Sequence, residues 1–440
     1  MLNFKHGIWC SVSAVVAAAV LSSCGGSSGS GGGSGGGSGG GSGSSSSSSS
    51  SSATSSASYS AQSTVTLISV ATSEQAPTIS APIVLADGKL MVSTVHKVDN
   101  TWNLQVQAYD DNSAPVGALI SLQTENTSEF HQGVRTLIPM SSGGYVEIQN
   151  SNISDHFVAK TIPASGSLAN PEYDIPYAGG TFMFAPIMDD NFVTIFSPST
   201  FTYGQIFNAS TGIGGSSFLI PPVSTTDHTD GFAAPLAAGG FVVSWCDQCY
   251  SSSTKPPFTL FVQTYDQGGH PLISPVSVAS GSEADPITNA RVFGLASGGF
   301  GVIWNDKHTK TAHEMESKIR VRFFSADGTP TTDVVTVGPS SENREFRSVA
   351  VLSSGRIAIL WAIAPVSPIG YDDFDYALAF IDATGHPVGS SVVVAGSSDR
   401  VVSEGAIAAR ANGGMAVMWQ ETMLGFCMPC EQKLRLVDPL

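Results

Sequence analysis

The sequence predicts an all-β protein, a seven-bladed β-propeller of four-stranded blades that is closed by an N-terminal strand and follows a disordered Gly/Ser tether. Three observations support this prediction. Helical periodicity is scarce, because Gly or Pro interrupts nearly every candidate run. A short apolar segment recurs seven times. The array also stops one strand short of a whole repeat, and a matching strand stands before its first copy.

The recurring segment is clearest in GGFVVSW and SGGFGVIW. Its seven copies end at Thr94, Gln149, Phe196, Trp245, Trp304, Trp361 and Trp419. Successive ends lie between 47 and 59 residues apart. A period of this length, with several short strands in each unit, is typical of propellers and related arrays.

Each unit divides into four alternating runs, as in FAAPLA, GFVVSW, FTLFVQTYD and ISPVSVAS. The Gly-Gly pair between the first two runs suits a tight hairpin, because glycine adopts positive φ without strain. The third and fourth runs are joined by segments such as YDQGGHP, in which Asp and Gly supply the turn and Pro begins an outer strand.

The two ends of the array predict ring closure. The last unit ends at KLRLVDPL, after its third run, and residues 63–77 resemble the missing fourth run. An N-terminal strand in that place would remove an exposed sheet edge. A linear array is the alternative, and it would leave both ends uncapped.

The N-terminal residues have the features of an export signal. A charged segment with Lys5 precedes the apolar run SAVVAAAVLSSC, which is too short for a confident membrane span. Its end, LSSC, resembles the lipobox of bacterial lipoproteins. The resemblance implies a signal peptide at 1–23, a lipid on Cys24 and, because Gly25 follows, the outer membrane. An ordinary cleaved signal is the alternative.

Residues 24–58 are almost entirely Gly and Ser, which cannot bury enough apolar surface to offset backbone entropy, so they are expected to form a disordered linker. The propeller is expected at 63–440. The chain has 42% hydrophobic but only 12% charged residues, and its formal charge of −16 argues against nucleic acid as a partner.

The later repeats, with the pattern G-G-F-V-V-x-W followed by V-Q-x-Y-D-x-x-G-x-P, resemble repeats of haemolysin-type calcium-binding and adhesin-like bacterial surface proteins. The resemblance spans about residues 63–440 and is weak in units two and three. It implies a propeller-like module at the cell surface and no particular activity. The calcium nonapeptide is absent from the sequence, so calcium is not implied.

Four cysteines remain beyond the N-terminal segment: Cys246, Cys249, Cys427 and Cys430. Both pairs have C-x-x-C spacing and follow the Trp position. Local disulfides are the expected fate in an oxidising compartment. A cross-blade bridge, a metal site and a redox centre are the alternatives. A c-type haem would need His after the second Cys, where Tyr250 and Glu431 stand.

Charged residues recur near one end of the first strands, which line the axis of a propeller. They predict a ring at one mouth of the channel, on the face with the long loops: Arg135, Asp230, Arg291, Glu345, Arg347 and Glu404. The arginines could bind a carboxylate or sulfate bidentately. Alternatively, they pair with the neighbouring acids and seal the channel.

The sequence contains no H-E-x-x-H, G-x-S-x-G or phosphate-binding loop, so no catalytic residue, metal or cofactor is predicted. The expected function is a non-catalytic binding module that is held at the outer membrane by its lipid and presents its loop face to a protein or glycan. The alternatives are a glycan-active enzyme, such as a lyase or glycosidase, and a periplasmic envelope-assembly scaffold.

Overall fold

A computed structural model describes the chain in these segments: 59–61, 64–70, 80–98, 101–125, 136–150, 156–164, 172–176, 181–197, 201–221, 228–247, 258–282, 285–311, 314–338, 344–363, 375–396, 400–423 and 430–439. Within these segments all regular secondary structure is β-strand. Among the described residues there is no helix with the length and apolar character needed to cross a bilayer. The signal peptide and the predicted Gly/Ser linker lie outside the described residues.

Two short strands precede the first blade, β1 (Tyr59–Ala61) and β2 (Val65–Val70). Blade 1 consists of β3 (Ile83–Val84), β4 (Leu90–Val98), β5 (Thr101–Tyr109) and β6 (Pro115–Glu125). Blade 2 consists of β7 (Thr136–Pro139), β8 (Tyr145–Asn150), β9 (His156–Ile162) and β10 (Tyr173–Pro176). Blade 3 consists of β11 (Thr181–Pro186), β12 (Asn191–Ser197), β13 (Thr202–Asn208) and β14 (Phe218–Ile220).

Blade 4 consists of β15 (His228–Pro235), β16 (Phe241–Asp247), β17 (Phe258–Tyr265) and β18 (Val276–Gly281). Blade 5 consists of β19 (Ile287–Gly294), β20 (Phe300–Thr311), β21 (Glu314–Phe324) and β22 (Val335–Val337). Blade 6 consists of β23 (Arg344–Val351), β24 (Ile357–Ile363), β25 (Asp375–Ile381) and β26 (Val392–Ala395). Blade 7 consists of β27 (Arg400–Ala409), β28 (Met415–Met423) and β29 (Cys430–Pro439), together with β2.

The N-terminal strand completes the last blade, as the sequence predicts. Strand β2 pairs antiparallel with β29, with Val65 opposite Leu434 and Val70 opposite Cys430. Strand β1 pairs with the far end of the same strand, from Tyr59 opposite Pro439. The second pairing was not predicted, because YSA looks like a continuation of the Ser-rich segment.

Apolar side chains fill every space between neighbouring blades. Separate buried clusters join blade 1 to 2, 2 to 3, 5 to 6 and 6 to 7, and one larger cluster spans blades 3 to 5. The seam between blades 7 and 1 has its own cluster, in which Val84, Leu90 and Val92 pack against Met418 and Leu434. The ring is therefore closed, and the predicted seven-bladed propeller is confirmed.

The Gly-Gly hairpin turns form as the sequence predicts. In blade 4, Gly239 donates its N–H to the Leu236 carbonyl, and Leu236 donates to Gly240. Both glycines have positive φ, 96° and 76°, and a Cβ on Gly240 would lie 2.2 Å from the Tyr265 carbonyl oxygen. A side chain would be strained at the first position and would clash at the second.

Candidate functional site

The two ends of the ring differ in their connections. At one end, here called the turn face, tight turns join the first strand of each blade to the second, with hydrogen bonds such as Leu295 N–H to Gly299 O and Leu352 N–H to Arg356 O. At the other end, the loop face, each first strand begins and each second strand ends. The predicted mouth lies at the loop face.

Three of the six predicted mouth residues have described side chains: Arg291, Glu345 and Arg347. Asp230 lies on β15 and Glu404 on β27, both in first strands as predicted, but the structure does not describe their side chains. Arg135 lies outside the described residues. For Arg135, Asp230 and Glu404, a place in the ring at the mouth therefore stays a prediction.

The predicted mouth positions coincide with a repeated β-bulge. The register of the first strand shifts opposite the repeated Trp in four blades, between Thr229/Phe232, Thr288/Arg291, Phe346/Ser348 and Ser403/Ala406. Asp230, Arg347 and Glu404 are residues of these bulges, and Arg291 directly follows one. A bulge bends the strand and changes where its side chains point, and bulges are frequent beside binding sites.

An ion-paired cluster lies at the border of blades 5 and 6. Lys307 Nζ, on β20, lies 3.1 Å from Glu345 Oε1, and Arg347 Nη2 lies 3.1 Å from Glu345 Oε2. Burial raises the pKa of Glu345, but Lys307 and Arg347 outweigh this effect and hold its pKa below the ordinary value. The carboxylate is therefore ionised. We call Arg291, Lys307, Glu345 and Arg347 the mouth cluster.

Arg291 lies apart from Glu345, over an aromatic ring. Its guanidinium carbon lies 3.5 Å from the centre of the Phe232 ring in blade 4, and its Nη1 donates to the Ala290 carbonyl at 2.8 Å. This cation–π contact occupies one face of the guanidinium. Arg291 and Arg347 also make contacts other than those given above.

Asn305 fixes the strand that carries Glu345. Its side-chain amide donates to the Arg344 carbonyl at 2.9 Å and accepts the Phe346 N–H at 3.0 Å, so one fully buried residue of blade 5 holds the backbone on both sides of Glu345. The Glu345 carboxylate is consequently held beside Lys307, two residues beyond Asn305 on β20.

A second charged feature, the blade-5 groove, lies on the opposite face of the β20–β21 hairpin. It is an open depression of about 340 Å³ that is lined by Asp285, Asp306, His308, Glu316, Lys318 and Arg320. Arg320 Nε donates to Asp306 at 3.0 Å, Lys318 Nζ lies 3.1 Å from Glu316, and His308 Nδ1 contacts Asp285 Oδ1. Within the described residues no group of three His, Cys, Asp or Glu could hold a metal ion.

Neither Lys307 nor the groove was predicted from the sequence. A signal exists in NDKHTKTAHEMESKIR, an almost entirely polar segment that forms most of the longest hairpin among the described strands, the 12-residue β20 and the 11-residue β21. Alternation with period two places Asp306 and His308 on one face of the sheet and Lys307 on the other. The partners Asp285 and Glu345 come from connections and blades that the pattern does not identify.

Cys246 lies inside β16, with its side chain only 6% exposed, so the first C-x-x-C pair begins within a strand and not in the loop after it. It is disulfide-bonded. Cys249 and Cys427 lie outside the described residues, and the side chain of Cys430 is not described. The pairing of the four cysteines therefore stays a prediction.

Comparison with known proteins identifies the fold. No family model and no curated protein matches the chain. Among solved structures, the chain is similar to the polysaccharide lyase Uly1, with 9% identity and a TM-score of 0.53 over 80% of this chain and 88% of the lyase. It is also similar to an ulvan lyase of polysaccharide lyase family PL25, with 12% identity and a TM-score of 0.51 over 83% and 95%.

A further structure of a PL25 ulvan lyase contains bound -[GlcA(1-4)Rha3S]- and matches with 12% identity and a TM-score of 0.50, over the same shares of the two chains. At such low identity the likeness concerns the fold alone. The chain is a seven-bladed β-propeller, a fold that it shares with enzymes that act on polysaccharides.

Proposed function

We propose that this protein is a glycan-active propeller that holds an acidic polysaccharide across its loop face and cleaves it. The observation that carries the proposal is the mouth cluster, in which Lys307 and Arg347 contact the Glu345 carboxylate and Arg291 lies over the Phe232 ring, on a chain with a formal charge of −16. Arginine matches the planar carboxylate and sulfate groups of acidic sugars. Solved structures of similar fold include polysaccharide lyases, one of them an ulvan lyase with bound -[GlcA(1-4)Rha3S]-, which supports an acidic polysaccharide as the substrate class.

Non-catalytic glycan binding is the second candidate, and the state of Glu345 favours it. A carboxylate whose pKa is lowered by Lys307 and Arg347 does not donate a proton near neutral pH, so Glu345 does not serve as a general acid. Cleavage therefore requires a group other than Glu345 to donate the proton to the leaving oxygen.

The experiment compares binding and cleavage in the same samples. The full chain is titrated with polygalacturonate, alginate and a glucuronate–rhamnose 3-sulfate polymer, with neutral dextran as the reference, and new chain ends are measured in parallel. We expect binding of at least one acidic polymer and cleavage of that polymer.

Arg347→Ala should weaken binding about tenfold or more, as expected when a charged hydrogen-bonding group of about 1.5–3 kcal/mol is lost. The matched control is Arg356→Ala, which removes an arginine from the same blade at the turn face. Equal affinities for acidic and neutral polymers, or equal effects of the two substitutions, would refute the proposal. Binding without new chain ends would leave the second candidate.

A further inference from the structure

We propose that the blade-5 groove is the site of proton transfer, where His308, positioned by Asp285, catalyses β-elimination in a uronate-containing glycan. The inference rests on the proposed function, since it names the groups that would cleave the acidic polysaccharide. It concerns residues that neither the repeats nor the mouth cluster include, on the face of blade 5 that is turned away from Lys307.

The contact with Asp285 fixes the tautomer of His308. An ionised carboxylate only accepts hydrogen bonds, so the imidazole donates from Nδ1 and keeps the lone pair of Nε2. The hydrogen bond from His308 lowers the pKa of Asp285, which is consistent with an ionised acceptor. Nε2 is thereby available as a base, and the His308 side chain is 56% exposed.

Asp285 is itself held by its own turn. Its N–H donates to the Ser282 hydroxyl oxygen at 3.1 Å, and the Ser282 hydroxyl donates to Asp285 Oδ2 at 3.2 Å. The turn is closed by backbone hydrogen bonds between Ser282 and Asp285 in both directions. The carboxylate that orients His308 therefore occupies a defined position at the loop face.

Cationic side chains lie next to His308 on the same face of the hairpin. The register places His308 opposite Glu316 and Asp306 opposite Lys318, so Lys318 is the diagonal neighbour of His308. Diagonal neighbours in a sheet lie about 7–8 Å apart, within reach of long side chains. Lys318 contacts only Glu316 among the described residues, so its ammonium has donors left for a ligand carboxylate.

Arg320 supplies a second cation with unused donors. Its Nε donates to Asp306 and its Nη1 to the Thr336 hydroxyl, and these contacts within the described part of the chain use two of its five N–H groups. The groove volume of about 340 Å³ falls in the range of about 300–1,000 Å³ typical of ligand pockets. A uronate unit can therefore lie between the cations and His308.

The chemistry is balanced without a co-reactant. The Nε2 lone pair of His308 removes the proton at C5 of the uronate, while Lys318 and Arg320 stabilise the charge that develops on the carboxylate. The C5–H electrons form the C4=C5 double bond, the C4–O4 bond breaks, and its electron pair leaves on O4. The imidazolium then donates its proton to O4. The products are one new hydroxyl end and one unsaturated uronate end.

The test uses the full chain with the three acidic polymers named above and follows the near-ultraviolet absorbance of the unsaturated product. His308→Gln should lower kcat by about 10²-fold or more, the usual contribution of a general base, with KM changed less than about threefold. His270→Gln is the matched control, because His270 Nδ1 lies 3.0 Å from Asp266 in a similar exposed pair at the turn face.

Asp285 is a positioning residue, so its test includes a pH profile. Asp285→Asn should lower kcat and displace the acidic limb of the kcat profile, and Asp285→Glu should restore part of both. Wild-type cleavage that His308→Gln leaves intact would overturn the inference while the proposed function stands. Glycan binding that is lost in Arg347→Ala, without any cleavage by the wild type, would overturn the inference and leave the binding function.

Discussion

The carboxylate of Glu345 lies between Lys307 of the neighbouring blade and Arg347 of its own strand, at 3.1 Å from each. Its side chain is 26% exposed, so solvent screens these contacts only in part. Two cations on one carboxylate stabilise the ionised form more than burial destabilises it, which is why its pKa lies below the ordinary value of 4.5.

This arrangement predicts a pH dependence of stability that belongs to one residue. Because the folded pKa of Glu345 is lowered, its ionised form stabilises the fold above about pH 4.5, and this contribution is lost as the pH falls through the folded pKa. When the pH is lowered from 6 into the acid range, the unfolding free energy should therefore fall less in the Glu345→Gln variant than in the wild type. The expected difference is about 1 kcal/mol. Urea unfolding at a series of pH values measures the difference. Parallel curves for the two proteins would contradict the assignment.

At the level of single strands, the β-bulge of the first strand carries different residues, with different contacts, in different blades. The second bulge residue is Ala290 in blade 5 and Gly405 in blade 7. Gly405 packs so closely on blade 6 that a Cβ would lie 2.5 Å from a ring carbon of Tyr376 and 2.8 Å from Leu360 Cδ2, and its N–H donates to the Tyr376 hydroxyl at 3.1 Å.

Gly405→Ala should therefore lower the unfolding free energy by about 1–3 kcal/mol, the usual cost of overpacking a dense core. Ala290→Gly changes the equivalent position of blade 5 in the reverse direction and should cost about 1 kcal/mol or less. Urea unfolding of the two variants measures the contrast. If both had the same stability, the bulge of blade 7 would not be in close contact with blade 6.

The strands and turns could be predicted from the sequence because their determinants are local. The apolar run before Trp245 and the glycines at 239 and 240 define a hairpin without reference to the rest of the ring. The site could be predicted only in part, since Lys307 meets Glu345 across two blades and Asp285 meets His308 across a connection. The first pair depends on the angle between blades and the second on the path of a connection, and the pattern of a single repeat encodes neither.

For the molecule as a whole, the lipid anchor on Cys24 remains a prediction with a direct test. If Cys24 carries the lipid, Cys24→Ala should release a soluble and folded propeller, because the first described strand of the ring begins at Tyr59, well beyond Cys24. Fractionation followed by a high-salt wash measures the release. Ser23→Ala keeps the cysteine and should stay with the membrane. A Cys24→Ala protein that still sediments with membranes would refute the lipoprotein prediction.

The seam between blades 7 and 1 is held by more than the apolar cluster. The buried guanidinium of Arg410 donates to Asp438 at 2.5 Å and, across the seam, to Asp111 at 2.5 Å. Arg435 of β29 donates from Nε to the Thr64 hydroxyl at 2.9 Å, so the closing segment is tied to the last strand by side chains as well as by its ladder. Ring closure therefore depends on strands from both ends of the chain.

Deleting residues 63–71 should consequently destabilise the whole ring. The deletion removes β2 and exposes the backbone edge of β29, together with side chains that pack at the seam. Each aliphatic side chain that loses full burial costs about 1.5–3 kcal/mol, and a few such losses are comparable with the whole stability of a domain, about 5–15 kcal/mol.

Deleting residues 25–52, a longer segment of Gly and Ser, should leave the melting temperature nearly unchanged. Thermal unfolding of both variants is the measurement. A short deletion that melts at the temperature of the parent would show that the N-terminal strand does not close the ring in solution.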